Sequence, residues 1–166
     1  MIIRGDLMIQ MRRKDKEMPM EAAVKILETN NYGTLAFMGE DGYPQSLPVN
    51  YVYIDGKIVI HGAKSGHKAR VFVNPCKVSF TVVSSNKLKL EDFNTYFESV
   101  MAFGIIKTLE GKEKDEIHYA WINKLAAKAL DKKLIDDYYN SALAHTNVYA
   151  IELNYISGKT TNKNKK

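Results

Sequence analysis

The sequence predicts a mainly β, α+β fold: an antiparallel sheet curled into a closed or split barrel, with helices packed on its outside. Three observations carry this. About six segments have strand length and strand composition, tight turns join them in place of crossover helices, and helical periodicity surfaces only at intervals between them.

The elements follow in order. Within Met18–Thr29 the residues Met20, Ala23, Val24 and Leu27 recur at i, i+3, i+4 and i+7, so an amphipathic helix is expected there. Pro19 suits its first turn, where a missing N–H costs nothing. Asn30-Asn31 and Gly33 close it. Thr34–Met38 reads as a strand and Gly39-Glu40-Asp41-Gly42 as a hairpin turn. Tyr43–Ile54 reads as one long strand bent at Pro44 and Pro48, and Asp55-Gly56 is a two-residue turn favouring positive φ. Lys57–His61 follows at once. Gly62–Asn74 breaks the strand pattern and holds a short helical stretch ended by Asn74-Pro75. Lys77–Val83 and Tyr96–Leu109 are expected strands, joined by a polar, mobile link over Ser84–Asn94. Between Glu110 and Tyr139 the period becomes 3.6, with Ile117, Ala120, Trp121 and Leu125 on one face. Asn147–Ile156 alternates again, with Tyr149, Ile151, Leu153 and Tyr155 on one side.

At 166 residues one domain is expected, over residues 11–159. Residues 1–10 read as a possible extension ahead of a start at Met11, and residues 160–166 as a basic solvated tail. A net charge of +5 and a pI near 9.1 invite a nucleic-acid partner. The excess of positive charge, however, lies at Arg12-Arg13-Lys14 and within Lys159–Lys166, and no recognition helix or zinc knuckle is present, so none is expected. No stretch approaches the roughly 18 consecutive apolar residues of a membrane span. Met1–Asp6 has no basic segment leading into an apolar one, so the expectation is a cytoplasmic protein without a membrane partner. Cys76, the single cysteine, allows no internal disulfide and reads as a half-buried structural thiol.

Several familiar sites are missing. There is no G-x-G-x-x-G, no G-x-x-x-x-G-K-[ST] and no H-E-x-x-H. His61, His67, His118 and His145 show no metal-ligand spacing, and no metal is expected. His118 sits in a Lys/Glu-rich helical segment and is expected to face solvent. One segment does stand out: His61-Gly62-Ala63-Lys64-Ser65-Gly66-His67-Lys68-Ala69-Arg70 follows a strand directly and opens a short helix. Ser65 can cap that helix, and Gly66 lets a ligand approach the backbone. The amides of Gly66, His67 and Lys68 would face an anion, beside the charges of Lys64, Lys68 and Arg70. A basic surface turn with an ordinary cap is the competing reading. A second constellation is Pro48-Val49-Asn50-Tyr51, where Asn50 is a polar amide in an apolar strand. Pointing inward it needs partners that a ligand could supply; pointing outward it carries no meaning.

Six motifs then occur in order: Met11-Arg12-Arg13-Lys14-Asp15, Tyr32-Gly33-Thr34-Leu35-Ala36, Pro48-Val49-Asn50-Tyr51, His61-Gly62-Ala63-x-x-Gly66-His67-Lys68, Asn74-Pro75 and Tyr96-x-x-Ser99-Val100-x-x-x-Gly104. With Ser157-Gly158-Lys159 as a closing turn, this set resembles the pyridoxamine-phosphate-oxidase-related flavoproteins, most closely their 5-nitroimidazole-reductase-type resistance subgroup. The resemblance implies a Greek-key FMN-binding split barrel that works as a homodimer, with FMN between the subunits. It implies that Pro48, Val49, Asn50 and Tyr51 lie along the isoalloxazine ring, with His61, Gly62 and Ala63 at its other polar edge. Ser65, His67 and Lys68 would hold the phosphate near Gly66, and Ser99 and Val100 would come from a central strand near the interface. His67 stands where pyridoxamine oxidases carry an arginine, and no counterpart of their arginine- and histidine-bearing substrate site occurs near the C-terminus, so pyridoxamine phosphate is not the expected substrate.

The expectation is therefore an FMN-dependent oxidoreductase of nitroreductase or flavin-reductase type, taking electrons from NAD(P)H or another donor to an electron-poor small molecule. His61 is the candidate catalytic group, because an imidazole with a pKa near 6.5 can donate a hydrogen bond or a proton to a nitro oxygen at neutral pH. A flavin carrier or sensor without a substrate is one alternative. A haem-binding barrel with His61 as axial ligand is the other.

Overall fold

Chain order runs α1 (Met20–Thr29), β1 (Tyr32–Met38), β2 (Pro44–Asn50), β3 (Val52–Ile54), β4 (Lys57–Ala63), α2 (His67–Val71), β5 (Cys76–Lys89), β6 (Asn94–Thr108), α3 (Gly111–Ala126), α4 (Lys132–Leu143) and β7 (Thr146–Thr160). The structure, a computed structural model, describes residues 11–126 and 129–161. Seven strands form one antiparallel sheet in the order β2-β1-β5-β6-β7-β4-β3. Its two edge strands, β2 and β3, are consecutive in the chain and separated only by Tyr51. A sheet whose first and last strands lie one residue apart must curl back on itself. The result is the mainly β split barrel that the sequence predicts.

Tyr51 fastens this closure. Its amide donates to the Asn31 carbonyl at 2.9 Å, and its hydroxyl donates to the Leu27 carbonyl at 3.0 Å. The ring is fully buried and meets Phe80 edge-on at 5.0 Å. One residue thus ties the β2–β3 corner to the last turn of α1 and to the middle of β5. Around it, Leu35, Phe37, Ile58, Ile60, Val82, Val100, Tyr149 and Ile151 fill the barrel, and α1 adds Ala23, Ile26 and Leu27. The helix lies directly on β7: a Cβ at Gly158 would stand 2.8 Å from the Ala23 Cβ.

A second core sits outside the barrel. Val52, Val59, Val148 and Ala150 turn outward from β3, β4 and β7 and meet Trp121, Ile122 and Ile135 from α3 and α4. β4 is therefore apolar on both faces, Ile58 and Ile60 inward and Val59 outward, which explains its unbroken apolar run. Among the described residues, no helix is long and apolar enough to cross a membrane.

Four expectations change. Tyr43–Ile54 is two strands, because the chain turns from one sheet edge to the other at Tyr51. Ser84–Asn94 is not a loose link. β5 and β6 continue as a paired ribbon from Ser85↔Glu98 to Lys89↔Asn94, since a backbone ladder needs no apolar side chains, and a 3-10 turn at Leu90–Asp92 closes it. The Glu110–Tyr139 segment is helical as its period indicates, and holds two helices, α3 and α4. β7 passes Ile156 and runs to Thr160, with a register shift opposite Phe103/Gly104 that resets the alternation so that Ile156, Gly158 and Thr160 are buried. Thr161 follows with its hydroxyl donating to the Thr95 carbonyl and accepting from the Phe97 amide, both at 2.8 Å. Thr160 and Thr161 thus belong to the folded body and not to a tail beginning at residue 160. Residues 1–10 and 162–166 lie outside the described residues.

Tyr51→Phe keeps the ring but leaves the Leu27 carbonyl without its buried donor. It is expected to lower unfolding free energy by about 1–3 kcal/mol with an unchanged m-value. Urea denaturation measures this, and a loss within a few tenths of a kcal/mol would show that closure does not use the hydroxyl.

Candidate functional site

β4 and the turn after it bring the predicted residues to one end of the barrel. The last β4 residue, Ala63, pairs with Thr146 of β7, and the Lys64 amide donates to the His145 carbonyl at 3.1 Å. The chain then turns through Ser65 and Gly66 into α2. Gly66 has φ +100, in the region that favours glycine, so the sequence needs this residue type here. Gly66 itself is the N-cap, which corrects the expected role of Ser65. Ser65 lies one residue outside the cap, is exposed, and makes no cap hydrogen bond. The amides of Gly66, His67 and Lys68 find no acceptor among the described residues, as a helix start leaves its first donors unpaired.

Two side chains close this turn against the barrel. Lys68 folds over Gly62, where a Cβ would come within 2.7 Å of the Lys68 Cε, and its Nζ donates to the His61 carbonyl at 3.1 Å. Burial lowers its pKa. His67 turns the other way: its Nε2 faces the Gln45 Oε1 of β2, and its ring lies 5.8 Å from Phe37. His67 is thus engaged with β2, and only its backbone N–H is available at the turn. Lys64 and Arg70 are exposed.

His61 departs most from expectation. Inward and outward positions alternate along β4, and His61 follows Val59 to the outer face, under α3. Its ring meets Trp121 edge-on at 4.1 Å and lies 6.3 Å from His118. Its Nδ1 is buried without a hydrogen-bond partner, as are the His118 Nδ1 and the Trp121 Nε1. Burial above all, with the neighbouring His118 and Lys68 adding to it, pushes the His61 pKa down to about 4. An imidazole lowered this far is uncharged at neutral pH, which favours the hydrogen-bond donor of the two expected roles.

His118 does not face solvent. It is 1% exposed, because the buried face of α3 is His118, Trp121 and Ile122, turned by one residue from the face read in the sequence. Tyr139 of α4 packs on it at 5.6 Å, and burial lowers its pKa. The i, i+3 spacing of His118 and Trp121 was the available signal. The surrounding Lys and Glu residues obscured it.

The remaining predicted residues are distributed as follows. On β2, Pro48 and Asn50 are exposed, Val49 is half-buried, and the Asn50 Nδ2 donates to the Asn31 carbonyl at 3.2 Å. The Tyr51 side chain is part of the core, so its expected place along a ligand ring is corrected. Val100 is likewise fully buried inside the barrel, whereas Ser99 turns outward beside the exposed Val83 and Met101. Ser99 pairs with Lys159 and His61 with Val148, eleven residues apart on β7. At about 3.3 Å per residue they stand roughly 36 Å apart along that strand. One chain does not bring Ser99 to the β4 turn.

An antiparallel split barrel with a glycine-opened cationic turn at one end defines the class of this protein. The chain belongs to the pyridoxamine 5'-phosphate oxidase family, whose sequence model matches residues 19–160. No curated protein sequence matches it. Among solved structures it is similar to a candidate 5-nitroimidazole antibiotic-resistance protein from Bacteroides thetaiotaomicron, at 18% identity and a TM-score of 0.69, covering 85% of this chain and 83% of that one. It is similar to an FAD- and haem-binding protein from Mycobacterium smegmatis, at 18% identity and a TM-score of 0.69 over 87% of this chain and 73% of that one. It is also similar to the flavocytochrome Anf3 from Azotobacter vinelandii, at 18% identity and a TM-score of 0.73 over 95% and 75% of the two chains.

Half-buried His61 and buried His118 both have folded-state pKa values below their unfolded value near 6.5, so between these values the unfolded chain binds more protons. Both contributions to stability are complete above about pH 6.5 and decline as pH falls, that of His61 being lost toward about pH 4. The denaturation midpoint should fall through that window, and His61→Asn should flatten the fall. An unchanged slope in the variant would remove His61 from the linkage.

Proposed function

We propose that this chain binds FMN at the turn between β4 and α2 and works, as a homodimer, as an oxidoreductase of nitroreductase or flavin-reductase type. One observation carries the reading. The amides of Gly66, His67 and Lys68 stand without acceptors beside Lys64, Lys68 and Arg70, which fits a phosphate of nearly two negative charges. Lys68 is kept at the turn by the His61 carbonyl, so its charge is already in place. Ser65 can add a hydroxyl, while Gly62 and Ala63 offer a side-chain-poor strand end. The exposed Pro48 and Asn50, with Val49, offer an edge strand to an isoalloxazine ring. The similar structures named for FAD and haem support a cofactor of this kind.

When bound, the flavin supplies the redox chemistry, receiving a hydride from a reduced nicotinamide and yielding electrons to an electron-poor acceptor such as a nitroimidazole. This chain's residues bind the phosphate, orient the ring and hold His61 as an uncharged hydrogen-bonding group. The separation of Ser99 and His61 supports a dimer, since a site using both would need two copies. Light scattering should give a dimer, and a monomer that retains tight FMN binding would overturn the shared site.

A second reading is haem. A half-buried, uncharged imidazole such as His61 is also a suitable axial ligand. The absorption spectrum of the purified protein separates the two, since a haem gives a Soret band and a flavin does not. A flavin bound without NAD(P)H turnover would instead mark a carrier or sensor.

Lys68→Ala is expected to weaken FMN binding by about 1.5–3 kcal/mol, the scale of a charge-assisted hydrogen bond. Riboflavin, lacking the phosphate, should bind weakly and lose little more. Titration by flavin fluorescence reads both, and equal losses would place the phosphate elsewhere.

A further inference from the structure

Three buried ring nitrogens without partners lie together on one contact, between the outer face of β4 and the inner face of α3. They are the His61 Nδ1, the His118 Nδ1 and the Trp121 Nε1. The His61 ring lies 4.1 Å from Trp121 and 6.3 Å from His118. Orphaned buried polar atoms are rare, and three in adjacent rings call for an explanation. Donor and acceptor chemistry supplies one. An indole N–H can only donate, whereas a neutral imidazole has one donor and one acceptor nitrogen. With the protons of both imidazoles on Nε2, the cluster holds one donor and two acceptors, which a single bridging water can satisfy by accepting once and donating twice. With both protons on Nδ1 it holds donors alone, and each proton moved to Nδ1 adds a buried donor to the indole's own, where an unpaired acceptor is the less costly group to bury.

We propose that His118 and Trp121 are positioning residues for His61, holding its ring as the uncharged tautomer with Nδ1 sealed inward as an acceptor and Nε2–H directed to ligand. The proposal rests on the reading of the β4 turn as the ligand site and adds how α3 governs it. His61 would then meet a flavin or substrate oxygen as a hydrogen-bond donor over the neutral pH range.

The elements packed around the contact agree. From α2 comes Lys68, whose Nζ is bound to the His61 carbonyl. On α3 lie Lys114, whose Nζ donates to the Leu143 carbonyl at 3.1 Å, and Asp115, the one carboxylate that acts on His118. From α4, Tyr139 packs on His118 and its hydroxyl reaches the Asp115 carbonyl at 3.5 Å. A charged His61 would stand between Lys68 and a second imidazole, and its Nδ1–H would add a second buried donor beside the Trp121 N–H. Trp121 stands edge-on against the His61 ring at 4.1 Å, the contact through which it would hold that ring's orientation.

Nitrogen-15 NMR of the histidine rings tests this on the protein without flavin. In the wild type, His61 should show an unprotonated, acceptor-type Nδ1 and a protonated Nε2, unchanged from pH 8 to 5.5. Trp121→Phe keeps an aromatic ring and removes the donor. It should give mixed tautomers and raise the His61 titration midpoint by about one unit. His118→Gln should shift the midpoint in the same direction. A wild-type His61 that titrates near 6.5, or carries its proton on Nδ1, overturns the proposal, and that measurement needs no variant to fold. FMN titration of the same samples separates the two ideas: no binding by the wild type sinks the cofactor reading while the tautomer result stands.

Discussion

Closure of the barrel at Tyr51 is the constraint on which the remaining structure depends. Two edge strands that are neighbours in the chain leave the sheet no flat arrangement, and Tyr51 makes the join permanent by spending its amide, its hydroxyl and its ring on three different elements. With the edges joined, the sheet acquires an inside and an outside. Alternate residues of every strand are then assigned to one or the other. β4 shows the consequence, sending Ile58 and Ile60 into the barrel and Val59 and His61 to the helices.

That division sets the electrostatics of the candidate site. Gly62, on the inner side, lies under Lys68, and His61, one residue earlier, lies under Trp121. A lysine that covers a glycine and bonds the next carbonyl back cannot leave for open water without giving up that contact. A histidine sealed between β4 and α3 cannot be charged without an acceptor. The same short segment therefore presents fixed positive charge at its turn and an uncharged hydrogen-bonding ring at its strand end. The two properties have one source, the two faces of a single strand.

The helical layer is more than a cover. α3 contributes His118 and Trp121 to the surroundings of His61, and α4 holds α3 through Tyr139. The outer core of Val52, Val59, Val148, Trp121, Ile122 and Ile135 is the apolar surface that keeps bulk solvent from these polar rings. Burial of those aliphatic groups, each worth about 1.5–3 kcal/mol, offsets the cost of the unpaired nitrogens beside them.

Much of this was legible in the sequence. Period and turn chemistry located α1, β1, β4, the first half of β5 and most of β6, because alternation and glycine turns act over a few residues. The segment His61–Arg70 was recognisable because a glycine-opened cationic turn after a strand is also a local pattern. Gly66 bears this out with its positive φ. What the sequence could not determine was which face each residue joins. Asn50 is equally compatible with either side of β2, and Tyr51 became core only because the sheet edges meet there. Val100 and Ser99 are adjacent in the chain yet lie on opposite sides of the barrel wall. His118 is surrounded by charged neighbours in sequence, and is dry because α3 lies with that edge against β4. Local periodicity determines the elements, since it reports backbone geometry. The partner of each face is chosen by closure and packing between residues far apart in the chain, and only the tertiary structure contains that choice.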